Sequence, residues 1–132
     1  LRTYKLFKDS FCAEPYLTVI KDPCYRTALS RLRLSSHNLA VETGRHVNPK
    51  VPLTNRLCEK CSLQNIEDEI HFLLVCPKYA TAREKLLNEL TKLFPNLSDL
   101  TTTDKFICIL QCNEQSVLVQ LGKYVYDNFQ TT

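Results

Sequence analysis

The chain has 132 residues, of which 44% are hydrophobic and 23% charged, with only two glycines and six prolines. This length and composition fit one folded domain and exclude a disordered tail, a collagen-like repeat and a linker. No apolar run approaches the roughly 20 residues that a membrane span needs, and no secretory signal is visible. The seven cysteines are an odd number and include a Cys-x-x-Cys pair, so we expect an intracellular protein of the nucleus or cytoplasm with no membrane contact, and an extracellular domain is the alternative. Because the chain begins with Leu1, we interpret it as a piece of a longer protein.

The charge of the chain is unevenly distributed. The formal net charge is +3, but residues 21–60 contain eight lysines and arginines against three acids, a net +5. Residues 61–132 contain six basic and nine acidic side chains, a net −3. A basic segment of this kind fits a polyanion such as RNA or DNA. An ordinary solvated surface explains the same charges at least as well.

The N-terminal third contains the first helix signals. Residues 1–20 predict a short helix, a break at Pro15, and a second helical or extended piece. Asp22 and Pro23 are typical of a helix start, and a helix from Cys24 to about Ser35 follows. Its apolar side holds Tyr25, Ala28, Leu29 and Leu32. A polar stripe that faces phosphate or water is predicted from Arg26, Ser30, Arg33 and His37.

The remaining elements surround an irregular middle. Residues 39–42 predict a short strand, and glycine and prolines then predict irregular chain up to Cys58. The acids 67–69 are placed to open a helix that runs to Val75, and further helices are predicted over residues 78–94, 103–112 and 114–129. The expected fold class is mainly α, a single small helical domain with a zinc knuckle in its middle and at most one short β-hairpin. Within it we distinguish a basic helix and loop (22–57), the knuckle (58–76) and C-terminal helices (77–132).

The one strong chemical signal is the spacing Cys58-x2-Cys61-x9-His71-x4-Cys76. Two thiolates two residues apart can face one ion, and a histidine and a cysteine from a nearby element complete a tetrahedron. Sulfur-rich ligands favour one structural Zn²⁺, with Arg56 and Lys60 offsetting the negative charge and backbone N–H groups bonding to the sulfurs. Residues five apart on a continuous α-helix point about 140° apart, so His71 and Cys76 could not share one ion if the helix continued. Pro77 disfavours the α conformation at Cys76, so we expect the chain to leave the helix there. The alternative is two surface thiols and a histidine packed on Leu74.

The other cysteines and histidines have a less specific interpretation. Cys108 and Cys112, four apart on a predicted helix, are expected to pack in the core, and a second metal site is the alternative. Cys12 and Cys24 are expected to be buried small hydrophobes. His37 and His46 are expected on the surface, where each could contact phosphate or act as a reserve ligand.

Motifs of enzymes are missing from the sequence. It contains no glycine-rich phosphate loop, no Gly-x-Ser-x-Gly elbow, no His-Glu-x-x-His and no adjacent Asp-Asp pair. A cysteine nucleophile formed by Cys61 and His71 is conceivable, but ligation to zinc would consume both groups. We therefore expect no enzymatic activity of this chain, and a metallo-hydrolase or cysteine enzyme is the least favoured hypothesis.

The stretch from Cys58-Glu-Lys-Cys61 through Glu67-Asp-Glu-Ile-His71 and Cys76-Pro-Lys-Tyr79 to Arg83 resembles a known pattern. It is similar to the cysteine–histidine (CCHC) zinc knuckle downstream of the polymerase in LINE-type (non-LTR) retrotransposon reverse transcriptases, or in host domains derived from them. The preceding segment from Arg31 to Lys50 is similar to what leads into that knuckle, so the resemblance covers about residues 25–87. It implies that Cys58, Cys61, His71 and Cys76 bind metal and that a full-length parent is a reverse transcriptase.

Two functional hypotheses follow. The first is a structural-zinc module that contacts the RNA or DNA backbone through its basic segment. Its candidate contacts are Arg26, Arg31, Arg33, His37, Arg45, His46, Lys50, Arg56 and Lys60. The second is a zinc-stiffened protein-interaction or oligomerisation module, recruited by a host, that binds a protein partner through its acidic, leucine-rich C-terminal helices.

Overall fold

The computed structural model describes residues 3–8 and 14–129, and in these ranges the chain is mainly helical, as the sequence predicts. Its α-helices are α1 (Tyr4–Phe7), α2 (Tyr16–Val19), α3 (Pro23–Arg33), α4 (Ala40–His46), α5 (Ala80–Leu93), α6 (Thr102–Gln111) and α7 (Gln115–Phe129). Short 3₁₀ turns lie at Leu53–Asn55, Pro77–Tyr79 and Leu97–Asp99, and a π-helical turn at His71–Val75. No helix within the described residues is long and apolar enough to cross a membrane.

The predicted start signal of α3 is confirmed. The Asp22 carboxylate accepts a hydrogen bond from the backbone N–H of Cys24 at 2.8 Å, and Pro23 occupies the first helical position. The helix ends before Ser35, which has a left-handed backbone (φ 57°). Asp22 and Pro23 therefore mark the start of this helix, and the left-handed Ser35 follows its end.

The core forms where α3 and α5 pack against α7. Gly122 permits the close approach of α7 to α3, because a Cβ at this position would lie 3.0 Å from Cβ and 3.2 Å from the carbonyl oxygen of Tyr25. Burying one large apolar side chain of this core contributes roughly 1.5–3 kcal/mol. Fully buried members include Ile20, Leu29, Leu32, Leu86, Leu90, Val117, Leu121 and Val125.

The middle of the chain differs from the sequence prediction. The strand predicted over residues 39–42 is wrong, because Ala40–His46 form α4. Its first N–H, on Ala40, is satisfied by the distant Glu67 carboxylate at 2.7 Å, so no local cap marked it in the sequence. The possible hairpin is reduced to one antiparallel bridge between Leu57 and Ile66, and this bridge flanks the predicted knuckle.

Candidate metal centre

The side chains of Cys58, Cys61, His71 and Cys76 converge. One ligand atom from each lies within 4.8 Å of every other. Cys58 and Cys61 lie in the loop that follows Leu57 of the Leu57–Ile66 bridge. His71 begins the π-helical turn, and Cys76 comes directly after it. Cys58, His71 and Cys76 are buried, whereas Cys61 is half-buried at the surface. The sequence spacing therefore predicted a convergence that the fold produces.

Two separations in the cluster match the edges of a metal tetrahedron. The sulfurs of Cys58 and Cys76 are 3.8 Å apart, and Nε2 of His71 lies 3.5 Å from the sulfur of Cys61. With metal–sulfur bonds of about 2.3 Å and metal–nitrogen bonds of about 2.0 Å, tetrahedral edges are about 3.8 Å for S–S and about 3.5 Å for S–N. The four side chains could therefore hold one metal ion with little rearrangement.

The π-helical turn explains how Cys76 reaches His71. The N–H of Cys76 donates to the carbonyl oxygen of His71 at 2.8 Å, a bond that spans five residues. A wider turn of this kind brings residue i+5 back over residue i, which a continuous α-helix does not. Cys76 then has an extended backbone (φ −61°, ψ 121°) before Pro77, so the predicted exit from the helix is confirmed.

Backbone N–H groups support the two loop sulfurs. Burial raises the pKa of the Cys58 thiol to about 12, although the Lys60 N–H bonded to its sulfur acts in the opposite direction. The Leu63 N–H bonded to the Cys61 sulfur lowers the pKa of that thiol. Each cysteine thus receives a bond from the N–H two residues on, as expected for a knuckle whose sulfurs become thiolates.

His71 is prepared as a neutral ligand. Burial lowers the pKa of its imidazole, which keeps the ring unprotonated at neutral pH, and metal ions bind that form. The Asp68 carboxylate fixes the backbone by accepting from the His71 N–H at 2.8 Å. The second ring nitrogen, Nδ1, is buried and has no hydrogen-bond partner within the described residues.

The two basic residues expected to offset the cluster charge have other contacts. Lys60 pairs at 2.5 Å with a Glu67 carboxylate oxygen, and the same oxygen lies 3.5 Å from the Cys58 sulfur. The Glu67 carboxylate therefore lies between the Lys60 charge and the cluster. Arg56 instead donates to the carbonyl oxygens of Val51 at 2.9 Å and Val41 at 3.0 Å. The Arg56 side chain crosses Gly44, where a Cβ would lie 2.7 Å from its Cγ. Arg56 therefore fixes the loop before the knuckle.

Arg83 and Tyr124 hold the ligand-bearing segment from the other side. Arg83 is buried and donates to the carbonyl oxygens of Leu73 and Cys76, both at 2.8 Å. Tyr124 of α7 donates to the carbonyl oxygen of Phe72 at 2.6 Å. The sequence analysis gave neither residue a supporting role. The only signal was that Arg83 falls within the resembling stretch.

Two predicted nucleic-acid contacts are buried. The guanidinium of Arg33 donates to the carbonyl oxygen of Leu110 at 2.9 Å, pairs with Glu14 at 3.1 Å and lies over the Phe7 ring. The prediction that the polar stripe faces phosphate or water is therefore wrong at Arg33 and at His37, and His37, which is expected on the surface, is only 7% exposed.

His37 Nε2 lies 2.6 Å from a Glu69 carboxylate oxygen, and both side chains are fully buried. His37 Nδ1 accepts from the Leu39 N–H at 3.3 Å, and Thr3 donates to the other Glu69 oxygen at 3.2 Å. Glu69, predicted only as a helix-opening acid, thus anchors the ligand-bearing segment to the chain before α4.

The remaining predicted basic contacts are distributed over the surface. Arg26 is half-buried and donates to the carbonyl oxygen of Ile20 at 3.2 Å. Arg31, Arg45, His46 and Lys50 are exposed. Of these, Arg45 and His46 lie 3.3 Å and 4.0 Å from a Glu42 carboxylate oxygen, which reduces the local positive charge.

The cysteines outside the cluster follow the predictions in part. Cys112 is buried and Cys108 half-buried, and within the described ranges neither belongs to a second group of three or more candidate ligands. Cys24 is exposed, so its predicted burial is wrong, because it lies in the first turn of α3 on the solvent side. The prediction for Cys12 lies outside the described residues.

Comparison with known proteins gives no relative, because no family model, curated protein or solved structure matches this chain. The geometry of the site is therefore what indicates the chemistry of this chain. Four protein ligands would fill a tetrahedral coordination sphere and leave no position for a substrate or a catalytic water.

Proposed function

We propose that the chain is a structural-zinc module that binds nucleic acid, of the kind found after the polymerase in non-LTR retrotransposon proteins. The observation that carries the zinc assignment is the pair of tetrahedral edges, 3.8 Å between Cys58 and Cys76 and 3.5 Å between Cys61 and His71. Three sulfurs and one imidazole favour zinc over magnesium or calcium. Because the ligand set is closed, the role proposed for the metal is to stabilise the fold rather than to catalyse a reaction.

The nucleic-acid part of the proposal is supported by exposed cations. Arg45 and Lys50 lie at the end of α4 and in the loop that leads to the knuckle, and the exposed imidazole of His46 lies next to Arg45. Arg31 on α3 is a further exposed cation. Such side chains neutralise phosphates without reading sequence, and affinity then falls steeply as salt rises. Cys58 follows this loop, so a metal ion bound to Cys58 would fix the end of the loop.

A binding experiment tests the nucleic-acid part. The zinc-loaded chain is titrated against single- and double-stranded RNA and DNA at low salt, and the double variant Arg45→Glu/Lys50→Glu is compared with it. We expect the double variant to lose about tenfold or more in affinity. Its control, Lys85→Glu/Lys92→Glu, makes the same charge change on exposed positions of α5 and should retain more of the affinity. Absence of binding by the unmodified chain at low salt contradicts the proposal.

A protein-interaction or oligomerisation module is the second candidate. Leu93 at the end of α5 and Leu100 before α6 are 40% and 38% exposed, next to an acidic part of the chain. Light scattering after size-exclusion chromatography tests self-association. A concentration-dependent dimer that Leu93→Glu dissociates would favour this candidate, and a monomer at all concentrations would disfavour self-association.

A further inference from the structure

An aromatic groove lies between α3 and the C-terminal end of α7. It has a volume of about 360 Å³ and is lined by Tyr126 and Phe129 of α7 on one side and by α3 residues including Ala28 and Arg31 on the other. This groove is not predicted from the sequence, because Tyr25 is the only aromatic residue within the basic segment. The packing of α7 on α3 brings aromatic rings from the acidic half of the chain next to an arginine of the basic half.

A second, more polar groove continues from the first across α3. Its volume is about 330 Å³, and it shares Thr27 and Arg31 with the aromatic groove. It adds Arg26, Ser30 and Ser36, together with the exposed side chains of Leu17 and Leu34. No acidic residue lines either groove in the described part of the chain, and α3 itself contains none. The two grooves thus place an aromatic surface beside one that carries two arginines among hydroxyl and apolar side chains.

We propose that these two grooves bind single-stranded nucleic acid, with an unpaired base on Tyr126 and the adjacent phosphate at Arg31 and Arg26. The inference rests on the proposed function and narrows its ligand to strands with accessible bases. A single strand alternates flat apolar bases with phosphate anions, which matches the alternation of the grooves. In a duplex the base faces are hidden by stacking, so a duplex can use only the cations.

The Arg31 side chain is oriented for this role. Its Nε donates to the carbonyl oxygen of Ser36 at 2.8 Å, which fixes the plane of an exposed guanidinium where both grooves meet. The ring of Tyr126 is held by Tyr25, with ring centroids 5.7 Å apart, and is half-buried. Both groups are thus positioned before a ligand binds, which lowers the entropic cost of binding.

The test compares three fluorescent probes at low salt: a 12-nucleotide oligo(U), an abasic strand of the same length and charge, and a 12-base-pair RNA duplex. Oligo(U) should bind about tenfold more tightly than the abasic strand, because stacking on one aromatic side chain is worth about that factor. Tyr126→Leu should abolish this difference and leave the affinities for the abasic strand and the duplex unchanged. Tyr4→Leu, a half-buried tyrosine on α1 outside the grooves, is the matched control and should retain the difference.

The outcomes separate the two proposals. Equal affinity for oligo(U) and the abasic strand overturns the groove assignment, and so does a difference that remains in Tyr126→Leu. In either case, binding of the duplex would still support contacts to the nucleic-acid backbone. Failure to bind any probe overturns the nucleic-acid function itself. A peptide of alternating glutamate and leucine that binds more tightly than oligo(U), with Tyr126→Leu weakening it, would make the grooves a protein-binding surface and also overturns the assignment. Zinc content and circular dichroism establish that each variant is folded.

Discussion

Arg83 donates a hydrogen bond of 2.8 Å to the carbonyl oxygen of Cys76, the last of the four candidate ligands. A second bond of 2.8 Å joins the same guanidinium to Leu73, so one buried side chain of α5 fixes two turns of the ligand-bearing segment. The carbonyls of this segment are not in a regular α-helix, because the π-helical turn and the exit before Pro77 interrupt it. The Cys76 carbonyl oxygen also accepts a longer bond, 3.3 Å, from the backbone N–H of Tyr79, so the arginine adds the shorter of its two bonds.

Replacing Arg83 should weaken metal binding. Arg83→Met keeps much of the aliphatic part of the side chain and removes both donors, so the Cys76 carbonyl oxygen is left with the longer, 3.3 Å bond from the Tyr79 N–H. Substitutions of residues that orient metal ligands typically cost 10- to 100-fold in affinity, and we expect a loss in that range. Competition with a chromogenic chelator measures it. The exposed neighbour Lys85→Met is the control, and an unchanged zinc affinity of Arg83→Met would show that Cys76 needs no such support.

The two histidines His37 and His46 should differ sharply in their effect on stability. His37→Ala removes the hydrogen-bond donor that lies 2.6 Å from the buried Glu69 carboxylate, and losing such a bond to a charged group costs about 2–3 kcal/mol. His46→Ala removes the same side chain from a position that is 73% exposed and should change the free energy of unfolding by less than about 0.5 kcal/mol. Urea denaturation with saturating zinc measures both. Similar values for the two variants would contradict the structural role of His37.

Gly122→Ala should destabilise the contact between α3 and α7. On an exposed helix this change gains about 1 kcal/mol, but here the new Cβ would lie 3.2 Å from the carbonyl oxygen of Tyr25. Overpacking of a close helix contact costs about 1–3 kcal/mol, so we expect a net loss of about 1 kcal/mol in the free energy of unfolding. Ser116→Ala, on an exposed position of the same helix, is the control. A more stable Gly122→Ala protein would refute the close approach.

Glu14 should make the free energy of unfolding fall as the pH is lowered into the acidic range. Burial raises the pKa of its carboxyl, but the hydrogen bond from Lys8 and the Arg33 guanidinium outweigh this and hold the pKa below its usual value. Because the folded protein then binds this proton only at a lower pH than the unfolded chain, the ionised carboxylate stabilises the fold at neutral pH. That contribution is lost as the pH falls through the lowered pKa.

The variant Glu14→Gln tests this sign. At pH 7 it should reduce the free energy of unfolding by about 1 kcal/mol, and the difference from the unmodified chain should shrink towards zero as the pH falls below the usual carboxyl range. Denaturation curves of both proteins across this range provide the measurement. The exposed Glu84→Gln should show no such trend. A difference that stays constant with pH would assign the loss at Glu14 to packing alone.

The sequence predicted the features that short-range chemistry determines. The Asp22–Pro23 helix start, the later helices and the convergence of four side chains are each encoded in neighbouring residues or in one spacing. The helix α4 was mistaken for a strand because its first N–H is satisfied by Glu67, 27 positions away. A short apolar run cannot be assigned to helix or strand by periodicity alone, and a partner so distant leaves no local signal.

The basic segment shows a second limit of sequence patterns. Arg33 and Arg56 were counted as surface cations, yet their guanidinium groups bond to the carbonyl oxygens of Leu110 and of Val41 and Val51. Amphipathic periodicity assigns a charged residue to solvent because burying it is costly without partners. Here the partners are Leu110 of α6, Val41 of α4 and Val51 in the loop after α4, and the helical pattern of the sequence shows none of these three bonds. Net charge counted along the chain therefore overestimated the exposed positive charge.

The central claim is that Cys58, Cys61, His71 and Cys76 hold one zinc ion as part of the fold. Elemental analysis of the chain purified without added metal tests it most directly. The account predicts one zinc per chain, lost in Cys61→Ser together with helical circular dichroism, and retained in Cys24→Ser, whose exposed thiol lies outside the cluster. A metal-free protein that is nevertheless fully helical and folded would contradict the account.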